Sequence, residues 1–108
     1  MHKLDIKPLS TNRAWVGKLR PTKANAAYKR DLSLILPPMS IDTESKLKLE
    51  IVFGFSSKAS DIDNPLKPFI DGLQKKYGFD DKQIYELSVK KEVVKRGHEY
   101  IEFEIISL

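Results

Sequence analysis

The sequence predicts a single α+β domain in which two helices cover one face of a small mixed β-sheet. Three observations support this prediction. The chain has 108 residues, which is the size of one ordinary domain. Two segments repeat apolar residues at helical spacing, and three others alternate apolar and polar residues. The predicted order is (β)–α–β–α–β–β, with the strands grouped rather than interleaved regularly with helices. We therefore expect residues 1–108 to form one unit.

The N-terminal third predicts a short edge strand, a loop and the first helix. Leu4 to Pro8 is the expected strand, and residues 10–20 are expected to form a loop with a short strand around Trp15. Thr22 is a favourable N-cap residue, and Pro37 with Pro38 stops the helix that follows. The apolar residues of this helix recur every three or four positions: Ala24, Ala27, Tyr28, Leu32 and Ile35.

The central third contains the clearest strand and the second helix. Lys46 to Phe55 alternates apolar and polar residues, which is typical of a strand with one buried face. Pro65 suits the first position of a helix, and Gly78 suits a left-handed stop. The buried face of this helix is predicted from five residues: Leu66, Phe69, Ile70, Leu73 and Tyr77.

The C-terminal third predicts a β-hairpin. Apolar and polar residues alternate from Ile84 to Val94 and again from His98 to Ile106. Lys95, Arg96 and Gly97 lie between the two segments and are expected to form the turn. We therefore expect these strands to be neighbours in the sheet.

Composition excludes several classes of function. The chain has no Cys, which rules out a disulfide framework, a thiolate zinc site and a cysteine nucleophile. No run approaches the ~18 apolar residues of a membrane helix, and the N-terminus lacks the apolar core of a secretory signal. We expect a cytoplasmic protein without membrane association.

The charge is unevenly distributed along the chain. Residues 1–60 carry 11 basic and 5 acidic side chains, whereas residues 61–108 carry 8 basic and 10 acidic side chains. A basic N-terminal half suits a polyanionic partner, because phosphate neutralisation dominates nucleic-acid affinity. Ordinary charge for solubility is the alternative interpretation, and composition alone leaves it open.

Five aspartates lie close together in the sequence: Asp61, Asp63, Asp71, Asp80 and Asp81. Lys67 and Asp71 share one stripe of the second helix, away from its apolar face. If the carboxylates meet in space, their mutual repulsion requires a cation, and oxygen ligands without Cys select Mg²⁺ or Mn²⁺. The alternative is that these residues are helix caps and a solvated turn, with Lys67 and Asp71 as a surface pair.

The motifs together resemble the RusA-type Holliday junction resolvases over nearly the whole chain. The similar elements are listed in chain order: Pro8-x-Ser10-x-Asn12-Arg13, Ala27-Tyr28-Lys29-Arg30-Asp31, Asp61-Ile62-Asp63-Asn64, Lys67, Asp71, Gly78-Phe79, Asp80-Asp81 and Gln83. The resemblance implies small, homodimeric, Mg²⁺-dependent endonucleases that nick four-way DNA junctions symmetrically. Many members of the family are encoded by phages or prophages.

The resemblance also implies roles for individual residues. Asp61, Asp63 and Asp81 match the family's essential acidic residues and are the expected Mg²⁺ ligands, and Lys67 matches its essential lysine. Asp71 and Asp80 match acidic positions of less certain role. The segment before Asp61 is less basic than in relatives, so DNA contacts are expected from Arg13, Lys18, Arg20, Lys23, Lys29 and Arg30.

The functional prediction is therefore a metal-dependent endodeoxyribonuclease that acts on branched DNA, in recombination, repair or phage DNA processing. Two alternatives stay open at this point. One is a non-catalytic DNA-binding or phage accessory protein of the same fold, which would bind DNA without Mg²⁺-dependent scission. The other is a protein–protein module, which would not bind DNA.

Overall fold

The computed structural model describes residues 1–10, 15–16 and 20–108, with side chains for residues 1–10 and 22–108. The elements in these ranges are β1 (His2–Leu4), β2 (Trp15–Val16), β3 (Arg20–Pro21), α1 (Lys23–Ile35), β4 (Leu47–Phe55), α2 (Leu66–Tyr77), a 3₁₀ turn (Asp81–Gln83), β5 (Ile84–Val93) and β6 (Tyr100–Ser107). The α+β class is confirmed. The N-terminal strand begins earlier than the predicted Leu4–Pro8, and β2 confirms a short strand at Trp15.

The main sheet has the strand order β1-β6-β4-β5, and β2 pairs separately with β3. β4 is antiparallel to β6 and parallel to β5. The predicted hairpin between the last two strands is therefore wrong, because β4 lies between them. β4 buries every second residue and takes the central place, whereas β5 is mostly exposed and forms an edge. The connection from β5 to β6 passes the end of β4, where Val94 donates its N–H to the Phe55 carbonyl (2.7 Å).

The core lies between the sheet and α2. The side chains of β4 that face the helix are buried, as the alternation predicted. Phe69 of α2 packs edge-on against Phe53 and Phe103, with ring centroids 6.0 and 5.6 Å apart. These aromatic contacts fix α2 across the two central strands of the sheet.

α1 packs closely against α2. Thr22 caps α1 as predicted, and its hydroxyl accepts a hydrogen bond from the Asn25 N–H (3.2 Å). Leu32 is fully buried against Gly72 of α2, where a Cβ atom would lie 2.6 Å from the Leu32 Cδ1. Ile35, by contrast, is 42% exposed, because the helix ends there and Leu36 turns into the core instead.

Candidate active site

An open groove of about 520 Å³ lies between α2 and the beginning of β5. Four of the residues singled out in the sequence line it: Asp63, Lys67, Asp71 and Asp81. The groove also has an apolar lining, formed by Leu66 and Ile70 of α2 and by Ile84 and Leu87 of β5. Gly78 adopts the predicted left-handed conformation (φ 76°) and ends α2, so that the chain turns back and brings Asp81 to this groove.

Asp61 and Asp63 lie on the loop that follows β4. The Asn64 side-chain amide donates to the Asp61 carboxylate (3.2 Å), and the Leu66 N–H donates to the Asp63 carbonyl (3.1 Å). The Asn of the Asp-x-Asp-Asn motif therefore orients the first carboxylate. Asp61 lines a smaller adjacent cavity of about 170 Å³, together with Lys7, Ser10 and Glu99 among others.

The predicted set of Asp61, Asp63 and Asp81 is thus only partly brought together. Within the described ranges, no three Asp, Glu or His side chains are grouped closely enough to hold a metal ion by themselves. Asp63 and Asp81 nevertheless present oxygen donors to one open groove. This donor set fits Mg²⁺, which proteins commonly bind through one or two carboxylates while water and substrate phosphate complete the coordination.

Lys67 lies in the first turn of α2 and points away from the core. Pro65 and Pro68 are both buried, so the face between them is the one left to solvent, and Lys67 is exposed there. Asp71 follows four residues later along the same side of the groove. The α2 side of the groove therefore presents an ammonium group and, one turn later, a carboxylate.

The Asp-Asp-x-Gln segment forms a 3₁₀ turn that its own side chains stabilise. Asp80 caps the 3₁₀ turn by accepting from the Lys82 N–H (2.9 Å), while the Gln83 side chain accepts from the Asp80 N–H (3.0 Å). The hydrogen bond from Lys82 holds the pKa of the Asp80 carboxyl below its ordinary value. The Gln83 amide also donates to the carbonyls of Asp42 and Ser45 (3.0 and 2.9 Å). Asp80 and Gln83 thereby shape and attach the turn that presents Asp81.

Lys91 anchors the loop before Asp61 and was not singled out in the sequence. Its ammonium donates to the carbonyls of Lys58 and Ser60, at 2.7 and 2.5 Å. Lys91 belongs to β5, so these two bonds connect the edge strand with the loop that carries the acidic motif. No local sequence signal identifies this residue, because its partners are about 30 residues away along the chain.

Two further residues at the beginning of β5, Tyr85 and Glu86, carry polar groups and line the groove outside the motif. Glu86 borders the groove, although the register pairs it with Lys48 on the opposite face of the sheet.

The predicted DNA-binding cations fall into two groups. Arg13 and Lys18 lie outside the described residues, and only the backbone of Arg20 is described. Lys23, Lys29 and Arg30 lie on α1, and the last two line a groove of about 500 Å³ between α1 and α2.

This second groove contains a cation that was missed in the sequence. Lys75 of α2 lines it, and none of the described residues that line it is acidic, although Asp31 forms an ion pair with Arg30 at its edge (3.6 Å). Lys67, Asp71 and Lys75 are spaced four residues apart, and extending the stripe by one step would have identified Lys75.

The face of the sheet opposite the helices is acidic. The strand registers place five glutamates and three lysines on this face: Glu50, Glu86, Glu92, Glu102 and Glu104, with Lys3, Lys48 and Lys90. The Tyr100 ring packs over Gly54, where a Cβ atom would lie 2.4 Å from it, and its hydroxyl donates to Glu92 (2.5 Å). This face therefore offers a polyanion less attraction than the helical side.

Comparison with known proteins identifies a family. The family model described as "Endodeoxyribonuclease RusA" matches residues 5–105 of the chain. A search of curated proteins found no match. In the part of the chain that the structure describes, no helix has the length and apolar character required to cross a membrane.

Proposed function

The chain belongs to the RusA family of endodeoxyribonucleases, and from this premise we propose that it is a Mg²⁺-dependent nuclease that resolves four-way DNA junctions by paired symmetric nicks. The observation that supports this proposal most directly is the groove that Asp63, Lys67 and Asp81 share. Carboxylates, a cation and open access to solvent are what hydrolysis of a phosphodiester requires.

The residues of the groove have different roles in the proposed reaction. Asp63 and Asp81 would hold the ion, and Asp61, oriented by Asn64, stays a predicted third ligand. When bound, Mg²⁺ supplies an activated water and neutralises charge on the phosphate. The Lys67 ammonium stabilises the negative charge that develops on the phosphate or on the leaving 3′ oxygen. Cleavage of this kind leaves a 5′-phosphate and a 3′-hydroxyl.

The DNA backbone is expected on the helical side of the molecule. The groove between α1 and α2 presents Lys29, Arg30 and Lys75, whereas the open face of the sheet carries more acidic than basic groups. Contacts to phosphate position DNA without reading its sequence, which suits recognition of a branched shape.

Paired nicking requires two active sites. Each chain contributes one groove that unites Asp63 with Asp81. A homodimer with two-fold symmetry would present two such grooves to two strands of a junction. We therefore include the homodimer in the proposal.

The test separates DNA binding from cleavage. We expect Asp81→Asn to bind a labelled four-way junction as tightly as the wild type, because the substitution is nearly isosteric and removes a charge that repels phosphate. Nicking in Mg²⁺ should fall by about a thousandfold or more, since several kcal/mol of transition-state stabilisation depend on a correctly held ion. Gel assays of binding and of strand scission measure the two properties.

Glu104→Gln is the matched control, because it removes the same charge from the opposite face of the sheet. It should bind and cut like the wild type. Wild-type cleavage by Asp81→Asn would refute the role of Asp81. A wild-type protein that binds the junction but never cuts it in Mg²⁺ would instead indicate the non-catalytic DNA-binding alternative.

A further inference from the structure

Tyr85 occupies an irregular position at the beginning of β5. Leu47 of β4 is paired with Ile84, but the next residue, Lys48, is paired with Glu86. Tyr85 is therefore the extra residue of a β-bulge and has no partner on β4. Bulges redirect side chains and occur frequently next to active sites.

The bulge places Tyr85 at the wall of the active-site groove. The side chain is 64% exposed and lines the groove together with Asp63, Lys67 and Asp81. The Lys46 ammonium lies 5.0 Å from the ring centroid, which is a cation–π distance. Because most of the side chain is exposed beside this contact, the ring is accessible to a stacking partner.

The two walls of the groove differ in chemistry. The α2 wall carries Lys67, which suits a phosphate, and the β5 wall carries Tyr85 and Leu87, which suit a flat apolar surface. In a nucleic-acid strand, the base projects to one side of its phosphate. A strand that places its phosphate against α2 would thus direct a neighbouring base towards β5.

We propose that Tyr85 stacks on the nucleobase next to the scissile phosphate and thereby selects branched DNA over a continuous duplex. This inference rests on the proposed nuclease function. Every base has a π-face, so stacking tolerates any sequence. Taking a base out of an intact stack costs a few kcal/mol, and the continuous stack of a duplex is interrupted where the arms of a four-way junction meet. Tyr85 therefore recognises DNA structure rather than sequence.

The test uses 2-aminopurine, a fluorescent base, placed on either side of the cleavage site in a four-way junction. Measurements are made without divalent metal, so that no cleavage occurs. Binding of the wild type should change the fluorescence at one of these positions, and Tyr85→Phe should retain the change. Tyr85→Ala should lose it and should weaken junction binding by about 5-fold to 100-fold, while binding of a linear duplex should change less than twofold.

Leu87→Ala is the matched control, because it removes an apolar side chain from the same wall without removing a π-face. An equal fluorescence loss in Leu87→Ala would overturn the proposal, as would wild-type binding and fluorescence in Tyr85→Ala. A change of oligomeric state in Tyr85→Ala, measured by light scattering, would assign the residue to a contact between chains and would also overturn it. If the wild type neither binds nor cuts junctions, both the proposed nuclease function and the stacking role of Tyr85 are refuted. If the wild type binds and cuts junctions, the results for the Tyr85 variants test the stacking role alone.

Discussion

Replacement of Lys91 by Met tests whether β5 holds the acidic loop in place. Met keeps an apolar stem beside Phe55 but removes the ammonium that donates to the Lys58 and Ser60 carbonyls. A hydrogen bond to a charged group contributes ~1.5–3 kcal/mol. Both carbonyls regain water when the ammonium is lost, so we expect a net loss of about 1–2 kcal/mol for the closed loop. Local opening should therefore increase by about 5-fold to 30-fold.

Amide hydrogen exchange followed by NMR measures this opening directly. The Ser60 N–H bonds to the Ser57 carbonyl within the loop (3.3 Å) and should exchange faster in Lys91→Met by the same factor. Cleavage should fall because Asp61 and Asp63 follow the loop immediately, while junction binding should change little. Lys90→Met is the control, since Lys90 is the preceding residue of β5 and faces the opposite side of the sheet. Unchanged exchange at Ser60 in Lys91→Met would refute the anchoring role.

Two further predictions concern DNA binding and stability. Lys75→Ala should lower the slope of log affinity for the junction against log salt by about 1, because one phosphate contact is lost; an unchanged slope in a salt titration would exclude Lys75 from the interface. Burial, followed by the hydrogen bond to Glu92, raises the pKa of Tyr100 to about 12. The folded state therefore resists ionisation of Tyr100, and stability present below pH ~10 should be lost as pH rises towards 12. Urea unfolding at both ends of this range should show a smaller loss for Tyr100→Phe.

Local signals predicted the individual elements well. The Thr22 cap, the alternation of β4 and the left-handed Gly78 each depend on a few consecutive residues, and all three are confirmed. The order of the strands in the sheet could not be predicted in the same way, because alternation shows which residues of a strand share a face but not which strand lies next to it. Two adjacent strands with a Gly-containing turn favoured a hairpin, but β4 has the more apolar face and gains more by burial between them.

Site residues that belong to a sequence motif could be predicted, whereas residues whose role depends on contacts with distant parts of the chain could not. Asp63, Lys67 and Asp81 were identified from the motif, and the structure places them along one groove. Lys91 could not be found in this way, because its role arises from two backbone carbonyls on another element. Tyr85 could not be found either, since a bulge depends on the register with β4.

The parallel pairing of β4 and β5 is what creates the groove. Two parallel neighbours cannot be joined by a tight turn, so the chain must cross over the sheet, and α2 is that crossover. The crossover begins after Asp61 and Asp63 and ends at Asp81, so the acidic residues lie at its two ends. α2 then necessarily runs beside β5, and the space between them is the groove. In the hairpin topology, β5 would lie beside β6, and Asp81 would not share a groove with Lys67. The catalytic proposal therefore depends on the position of one strand in the sheet.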